Sequence, residues 1–208
     1  MEITFRDGRE LLSPKSPGAG FQTPAESGLA SHGEFGPEAA IVLVDLADHA
    51  NGSVHFHHWE TTAMGPAAVF HYSVAAAGSH YQVQYDCDKK TPFRAFPGYH
   101  GSIMVNPATG AILRLTLATE LKEGDPISEV TSTIEYGPVK IGERAYICPL
   151  ESIASITVEE NACAHRTGPK RLAEPQVLVN HSTFSEYHRF GSTLTIVPKA
   201  EDGTQGPG

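Results

Sequence analysis

The chain is expected to fold as a mainly β (α+β) protein: a curved antiparallel sheet or half-barrel with one main helix near residues 37–47. Three observations carry that expectation. Twenty glycines and 15 prolines in 208 residues favour frequent turns over long helices. Between Tyr99 and Leu150 the residues alternate in strand period around two chemically explicit turns. Elsewhere, short alternating runs recur between breaks that contain Gly or Pro.

In chain order, Ile3 and Phe5 mark a short strand ending at Asp7-Gly8, and Ser13 to Gly28 is loop by its Pro, Gly and Ser content. The helix begins where Gly36 can cap, Pro37 suits the first helical position and Glu38 faces the positive end of the dipole. Its apolar residues Ile41, Val42, Leu43, Val44 and Leu46 are nearly continuous, so a buried strand competes, but the start signals favour helix up to Asn51-Gly52. Ser53 to Glu60, Ala68 to Val74 and His80 to Tyr85 then read as a meander broken at Gly65-Pro66 and Ala77-Gly78. Asp88 to Gly98 is loop.

The two hairpins follow. Ile103 and Val105 share one face of a strand, and Leu113, Leu115 and Leu117 share one face of the return strand. Between them, Asn106-Pro107-Ala108-Thr109-Gly110 combines an Asn that can cap a turn, a proline of fixed φ and a glycine free to take positive φ. In the second hairpin, Val139 and Ile141 run into Gly142-Glu143, a pair suited to a two-residue reversal, and Tyr146-Ile147-Cys148 leads out. Ile153 to Val158 is a further strand, and Glu159 to Pro175 is an exposed connection. Val177 to Val179, Thr183 to Tyr187 and Ser192 to Val197 read as closing strands. Residues 1–198 thus form one antiparallel β-rich domain, with a disordered tail at 199–208.

A formal charge of −9 opposes the counterion release that drives nucleic-acid binding, so no nucleic-acid partner is expected. No apolar run approaches the roughly 20 residues that span a bilayer, and Met1 to Arg6 lacks the order of a signal peptide. Cys87, Cys148 and Cys163 have no metal-ligand spacing. They leave two alternatives open, a Cys148–Cys163 bridge beside one thiol or three free thiols.

Several segments together carry a family resemblance. They are Gly33-Glu34-Phe35-Gly36, Ala68-Val69-Phe70-His71-Tyr72, Asn106 through Leu115, Ile134 through Gly142, Tyr146-Ile147-Cys148-Pro149 and Phe184-Ser185-Glu186-Tyr187-His188-Arg189-Phe190. Over about residues 3 to 197 the chain resembles a family of uncharacterised exported proteins of Acidobacteria. More distantly, its strand order is similar to the lipoprotein-carrier and sigma-regulator half-barrels of the bacterial envelope. The resemblance implies a periplasmic or otherwise extracytoplasmic setting and a longer precursor with N-terminal strands ahead of this chain. It implies no activity.

Candidate chemistry is sparse. Eleven histidines include His55-Phe56-His57-His58, and in a strand His55 and His57 project together, with His71 a candidate third metal ligand on a neighbouring strand. A solvated strand face explains the same residues. No Gly-x-Ser-x-Gly elbow, HExxH helix motif or phosphate loop is present. Glu159-Glu160 and Glu123 with Asp125 read as solvated loop charges, and Cys148, in a strand before Pro149, as structural. Phe70, Tyr72, Tyr81 and Tyr85 are the candidate ligand-binding residues, able to line a concave sheet face or to serve as core.

The expectation is a non-catalytic extracytoplasmic binding or accessory domain with no cofactor. It would hold an apolar ligand, a lipid or hydrophobic peptide, or meet an envelope protein. The alternatives are a metal-binding protein or metal-dependent enzyme centred on His55 and His57, and a purely structural envelope module.

Overall fold

Alternating β-branched and aromatic residues build the long strands of the fold, and tight polar turns order them. The computed structural model describes residues 2–6, 9–13, 38–47, 52–85, 93–159 and 175–188, with side chains from residue 41 onward. The elements are β1 (Glu2–Arg6), β2 (Arg9–Ser13), α1 (Glu38–Ala47), β3 (Gly52–Thr62), β4 (Gly65–Val74), β5 (Val83–Tyr85), β6 (Phe93–Ala95), β7 (Gly98–Val105), β8 (Ile112–Glu120), β9 (Ile127–Ile141), β10 (Arg144–Val158) and β11 (Gln176–Thr183). Seven strands form one antiparallel sheet in the order β11-β10-β9-β8-β7-β4-β3. The sheet is not closed into a barrel, and β3 and β11 are its edges. The described residues adopt a mainly β fold, with one α-helix among them over the expected span.

The turns behave as their residues dictate. Asn106 Oδ1 accepts from the Ala108 N–H at 2.9 Å, the Gly110 N–H donates to the Asn106 carbonyl at 2.8 Å, and Gly110 takes φ +71°. Ile141 pairs with Arg144 across Gly142-Glu143, where Gly142 takes φ +63°. Positive φ at the first central residue matches the twist of the flanking strands. A third turn, at Lys122 to Asp125 where Glu123 and Asp125 read as loop, is closed by the Lys122 N–H on Asp125 Oδ2 at 3.0 Å, so β7 to β10 form a continuous meander.

Several expectations need correction. His80 to Tyr85 does not continue the meander: only Val83–Tyr85 is strand, and it pairs with β6, inside the expected loop, while β4 pairs directly with β7. Tyr81 and Val83 are buried because this segment lies over the sheet's apolar face, and period two is the same for a strand inside or above a sheet. Ile153 to Val158 is not separate but the second half of β10, which absorbs Pro149 through a bulge between Pro149 and Glu151. β11 extends from Gln176 to Thr183, and Thr183 to Tyr187 is not a strand. There the chain is braced instead by the Phe184 N–H on the Leu150 carbonyl at 2.9 Å and by the Tyr187 hydroxyl on the Pro149 carbonyl. β2, paired with β1 from Glu2↔Ser13 to Arg6↔Arg9, had no signal in the residue pattern. Most of the expected 13–28 loop and of the 159–175 connection, Ser192 to Val197 and the 199–208 tail lie outside the described residues.

One face of the sheet carries the main core. Tyr72, Val74, Tyr99, Ile103, Leu115, Leu117, Val130, Ile156 and Val158 project from it, and Val42 of α1 with Tyr81 and Val83 cover it. Burying a leucine such as Leu115, which is fully enclosed, stabilises the fold by about 1.5–3 kcal/mol. α1 turns Val42 and Asp45 inward at i, i+3 spacing, with Ile41 and Leu46 beside them. Leu43 and Val44 stay exposed.

Candidate functional site

The opposite face carries mostly hydroxyl and imidazole side chains, and the pairing register aligns them into two rows. One row runs His55, His71, Ser102, Thr116, Thr133, Ile153, His181 across β3, β4, β7, β8, β9, β10 and β11. Its neighbour runs Ser53, Ser73, His100, Ala118, Thr131, Ser155, Val179 over the same strands. Over the middle four strands the rows line an open groove of about 520 Å³, with His71, His100, Ser102, Thr116, Thr131 and Thr133 contributing side chains.

Hydroxyls in these rows bond one another across strands. Ser102 Oγ lies 2.8 Å from Thr116 Oγ1, Thr131 Oγ lies 2.8 Å from Ser155 Oγ, and Ser53 Oγ lies 3.0 Å from Ser73 Oγ. A hydroxyl offers one donor and two acceptor sites, so these pairs keep capacity for a ligand, although Thr116 Oγ1 also accepts from the Ser102 N–H at 2.9 Å. At the groove's rim His100 Nδ1 is 3.4 Å from Glu120 Oε1, both half exposed. At the other end Ala67, Val69, Met104 and Leu113 form a small second core. Nearby, Arg114 reaches Glu135 through Nε at 2.5 Å and Glu60 through Nη1 at 3.8 Å. β8, β9 and the edge strand β3 thus meet through one guanidinium.

The floor of the groove is fixed by close backbone approach. A Cβ on Gly101 would sit 1.9 Å from the Thr116 carbonyl oxygen and 2.8 Å from the Tyr72 hydroxyl. That hydroxyl donates to the Thr116 carbonyl at 2.7 Å. Glycine is therefore required at this position.

The histidine candidates do come together. His55 is the cross-strand partner of His71, and a bulge between Phe56 and His58 turns His57 onto His71, their rings stacked at 3.8 Å and 28°. His58 meets His57 edge-on at 4.9 Å. Stacking aligns the in-plane nitrogen lone pairs side by side instead of converging them on a point, and among the described residues no group of three His, Cys, Asp or Glu is placed to hold a metal ion. Partial desolvation and then the neighbouring His71 and His58 lower the His57 pKa below its ordinary 6.5.

The aromatic candidates pack with other aromatic and apolar side chains. Tyr72 and Tyr81 are 3% and 5% exposed and pack against Tyr99 with ring centroids at 6.1 and 5.8 Å. Tyr85 packs on the same cluster, and half-buried Phe70 meets Phe56 edge-on at 5.8 Å. Phe70 and Tyr72 project from the core face, and Tyr81 and Tyr85 lie over it; of the four, only Tyr72 is among the residues that line the groove.

One polar cluster had no counterpart in the sequence reading. Asp45, fully buried, accepts from the Tyr99 hydroxyl at 2.7 Å and the His80 N–H at 3.0 Å on Oδ2, and its Oδ1 lies 2.5 Å from His80 Nδ1. Burial, the largest influence, raises its pKa, but the bonds from His80 and Tyr99 and the His80 charge outweigh it and hold the carboxyl below its ordinary 3.8. Tyr99 is pushed far up by burial and by Asp45. The only signal was Asp45 itself, an acid three residues after Val42 inside an apolar run.

Cys148 carries a free thiol, and burial raises its pKa, which suits a structural residue. Cys87 and Cys163 lie outside the described residues. Tyr187 is raised to about 12, by burial and then by Cys148. No described helix is long and apolar enough to cross a membrane. Comparison with protein-family models, with curated proteins and with solved structures finds no match to this chain.

Proposed function

We propose that the protein is a non-catalytic binding domain, working in an extracytoplasmic setting, that holds an uncharged, hydroxyl-rich ligand such as a glycan chain across β4, β7, β8 and β9. The observation that carries this reading is the groove lined by Ser102, Thr116, Thr131, Thr133, His71 and His100. Hydroxyls and imidazoles both donate and accept, as sugar hydroxyls do, and strands about 4.8 Å apart repeat these groups at the scale of a sugar ring. No carboxylate or thiol is among the lining residues, so the groove presents neutral donors and acceptors. A lipid or hydrophobic peptide is less well supported, because the aromatic face is packed beneath α1.

The test is NMR titration of the labelled protein with neutral oligosaccharides. Amide shifts confined to Ser102, Thr116, Thr131 and Thr133 are expected. Thr133→Val and Thr131→Val should each weaken binding roughly tenfold, about 1.4 kcal/mol, while leaving the spectrum folded. Shifts restricted to α1 and β5 on adding a fatty acid, with none from any saccharide, would overturn the reading in favour of an apolar ligand.

A further inference from the structure

The groove is neutral, but its frame is acidic. Glu120 and Glu129 each stand two residues beyond a lining residue at one end, past Ala118 and Thr131, and Glu135 stands two residues beyond Thr133 at the other. Two residues along a strand span about 7 Å, so these positions lie within the ~8 Å over which physiological salt screens a charge. Glu151 is the cross-strand partner of Glu135, and Glu60 joins the same end through Arg114. Among the described residues of this frame one is a Lys or Arg: Arg114, 2.5 Å from Glu135 and 3.8 Å from Glu60. Lys122 sits in the turn past Glu120 beside Glu123 and Asp125, and Lys140 and Arg144 stand by the Gly142 turn, away from the rows. The other partners are imidazoles. His100 Nδ1 is 3.4 Å from Glu120 Oε1, His181 Nε2 is 2.6 Å from Glu151 Oε1, and His58 Nε2 is 3.9 Å from Glu60 Oε2. His55, His57 and His71 are the remaining titratable groups of the rows among the described residues.

Given the reading of the groove as a glycan site, on which this step rests, we infer that the frame selects the ligand by charge: it admits neutral glycans and excludes acidic ones at neutral pH, and acidification lifts the exclusion through His100 and His181. With imidazoles neutral, five carboxylates surround one guanidinium, and a uronic-acid carboxylate laid along the rows meets like charge at both ends of the groove. Selection of this kind works by repelling the wrong ligand, because the hydroxyls of Ser102, Thr116, Thr131 and Thr133 can bond neutral and acidic sugars alike. Like charges set directly opposite are also destabilising, so the Glu135–Glu151 pair is kept beside the groove against the stability of the sheet. Below neutral pH a histidine gains a proton, and His100 and His181 already touch the carboxylates that their charge offsets. Glu135 needs no such step, since its partner Arg114 is charged throughout.

NMR titration of the full chain with cellotetraose and with its C6-oxidised, acidic form tests this. At about pH 8 the neutral sugar should bind at least roughly tenfold tighter, and at about pH 5 the ratio should fall below roughly threefold. Glu120→Gln combined with Glu151→Gln, at half-exposed sites, should bring the ratio at the higher pH into that lower range. Glu143→Lys at the Gly142 turn changes the net charge by the same amount far from the frame, and should leave the ratio as it was. His100→Gln combined with His181→Gln should retain the exclusion on acidification. A ratio near one at the higher pH, or one that Glu143→Lys lowers as far as the paired glutamines do, would overturn the inference and leave the groove reading standing. So would a ratio that does not change with pH. Groove amides that respond to neither sugar at either pH would overturn both.

Discussion

The Tyr99 hydroxyl lies 2.7 Å from Asp45 Oδ2, joining the one described helix to the middle of the sheet through a fully buried carboxylate. Hydrogen bonds to charged groups contribute about 1.5–3 kcal/mol each, and removing the charge strands the remaining donors without an acceptor. Tyr99→Phe should therefore cost about 2 kcal/mol, and Asp45→Ala about 3–5 kcal/mol, in urea unfolding. Equal, small losses for the two variants would show that the carboxylate is not the joint.

The same carboxylate gives the fold an acid-side dependence. Because the Asp45 pKa is lower folded than its ordinary 3.8, its contribution is fully present above that value and fades as pH falls through the folded value. The stability gap between wild type and Asp45→Asn should stay constant at higher pH and narrow below 3.8. Denaturant melts across that range measure it, and a gap that widens on acidification would contradict the assignment.

Two glycine substitutions should differ sharply. Gly101→Ala puts a methyl 1.9 Å from the Thr116 carbonyl oxygen, so a loss of about 3 kcal/mol or failure to fold is expected. Gly142→Ala meets nothing within 4 Å and costs only the strain of φ +63°, about 1–2 kcal/mol. Thermal denaturation of the pair separates packing from backbone strain.

The stacked imidazoles predict a titration. His57 should titrate below 6.5 by proton NMR, and His71→Ala should raise it, with partial desolvation and His58 leaving a residual depression. An unchanged His57 midpoint in that variant would mean that the ring contact is absent in solution.

Local chemistry made much of the fold legible. Asn106, Gly110 and Gly142 announce their turns because each needs one backbone conformation, and Gly36-Pro37-Glu38 announces a helix start because capping is local. The excursion of His80 to Tyr85 was hidden, since alternation records which side is buried and not which strand lies alongside. Asp45 was hidden differently: its partners His80 and Tyr99 are 35 and 54 residues away. The groove was least legible, because its rows take one residue from each strand, and only the register tells which residues are neighbours. His71 lies on the strand beside His55, but the bulge that stacks His57 on His71 has no sequence signature.

β9 and β10 are each 15 residues long, and β8 pairs with β9 only from Thr131 to Glu135, so the Gly142 end of this hairpin extends as a two-stranded ribbon past its neighbour. Slipping β9 by one residue against β8 would turn Thr131 and Thr133 inward and bring Val130 and Ser132 out. The composition of the groove is thus decided at the reversal from Lys122 to Asp125, which joins those two strands well away from any wall it sets. A lengthened or shortened turn there would rewrite the binding surface without touching a single residue that lines it.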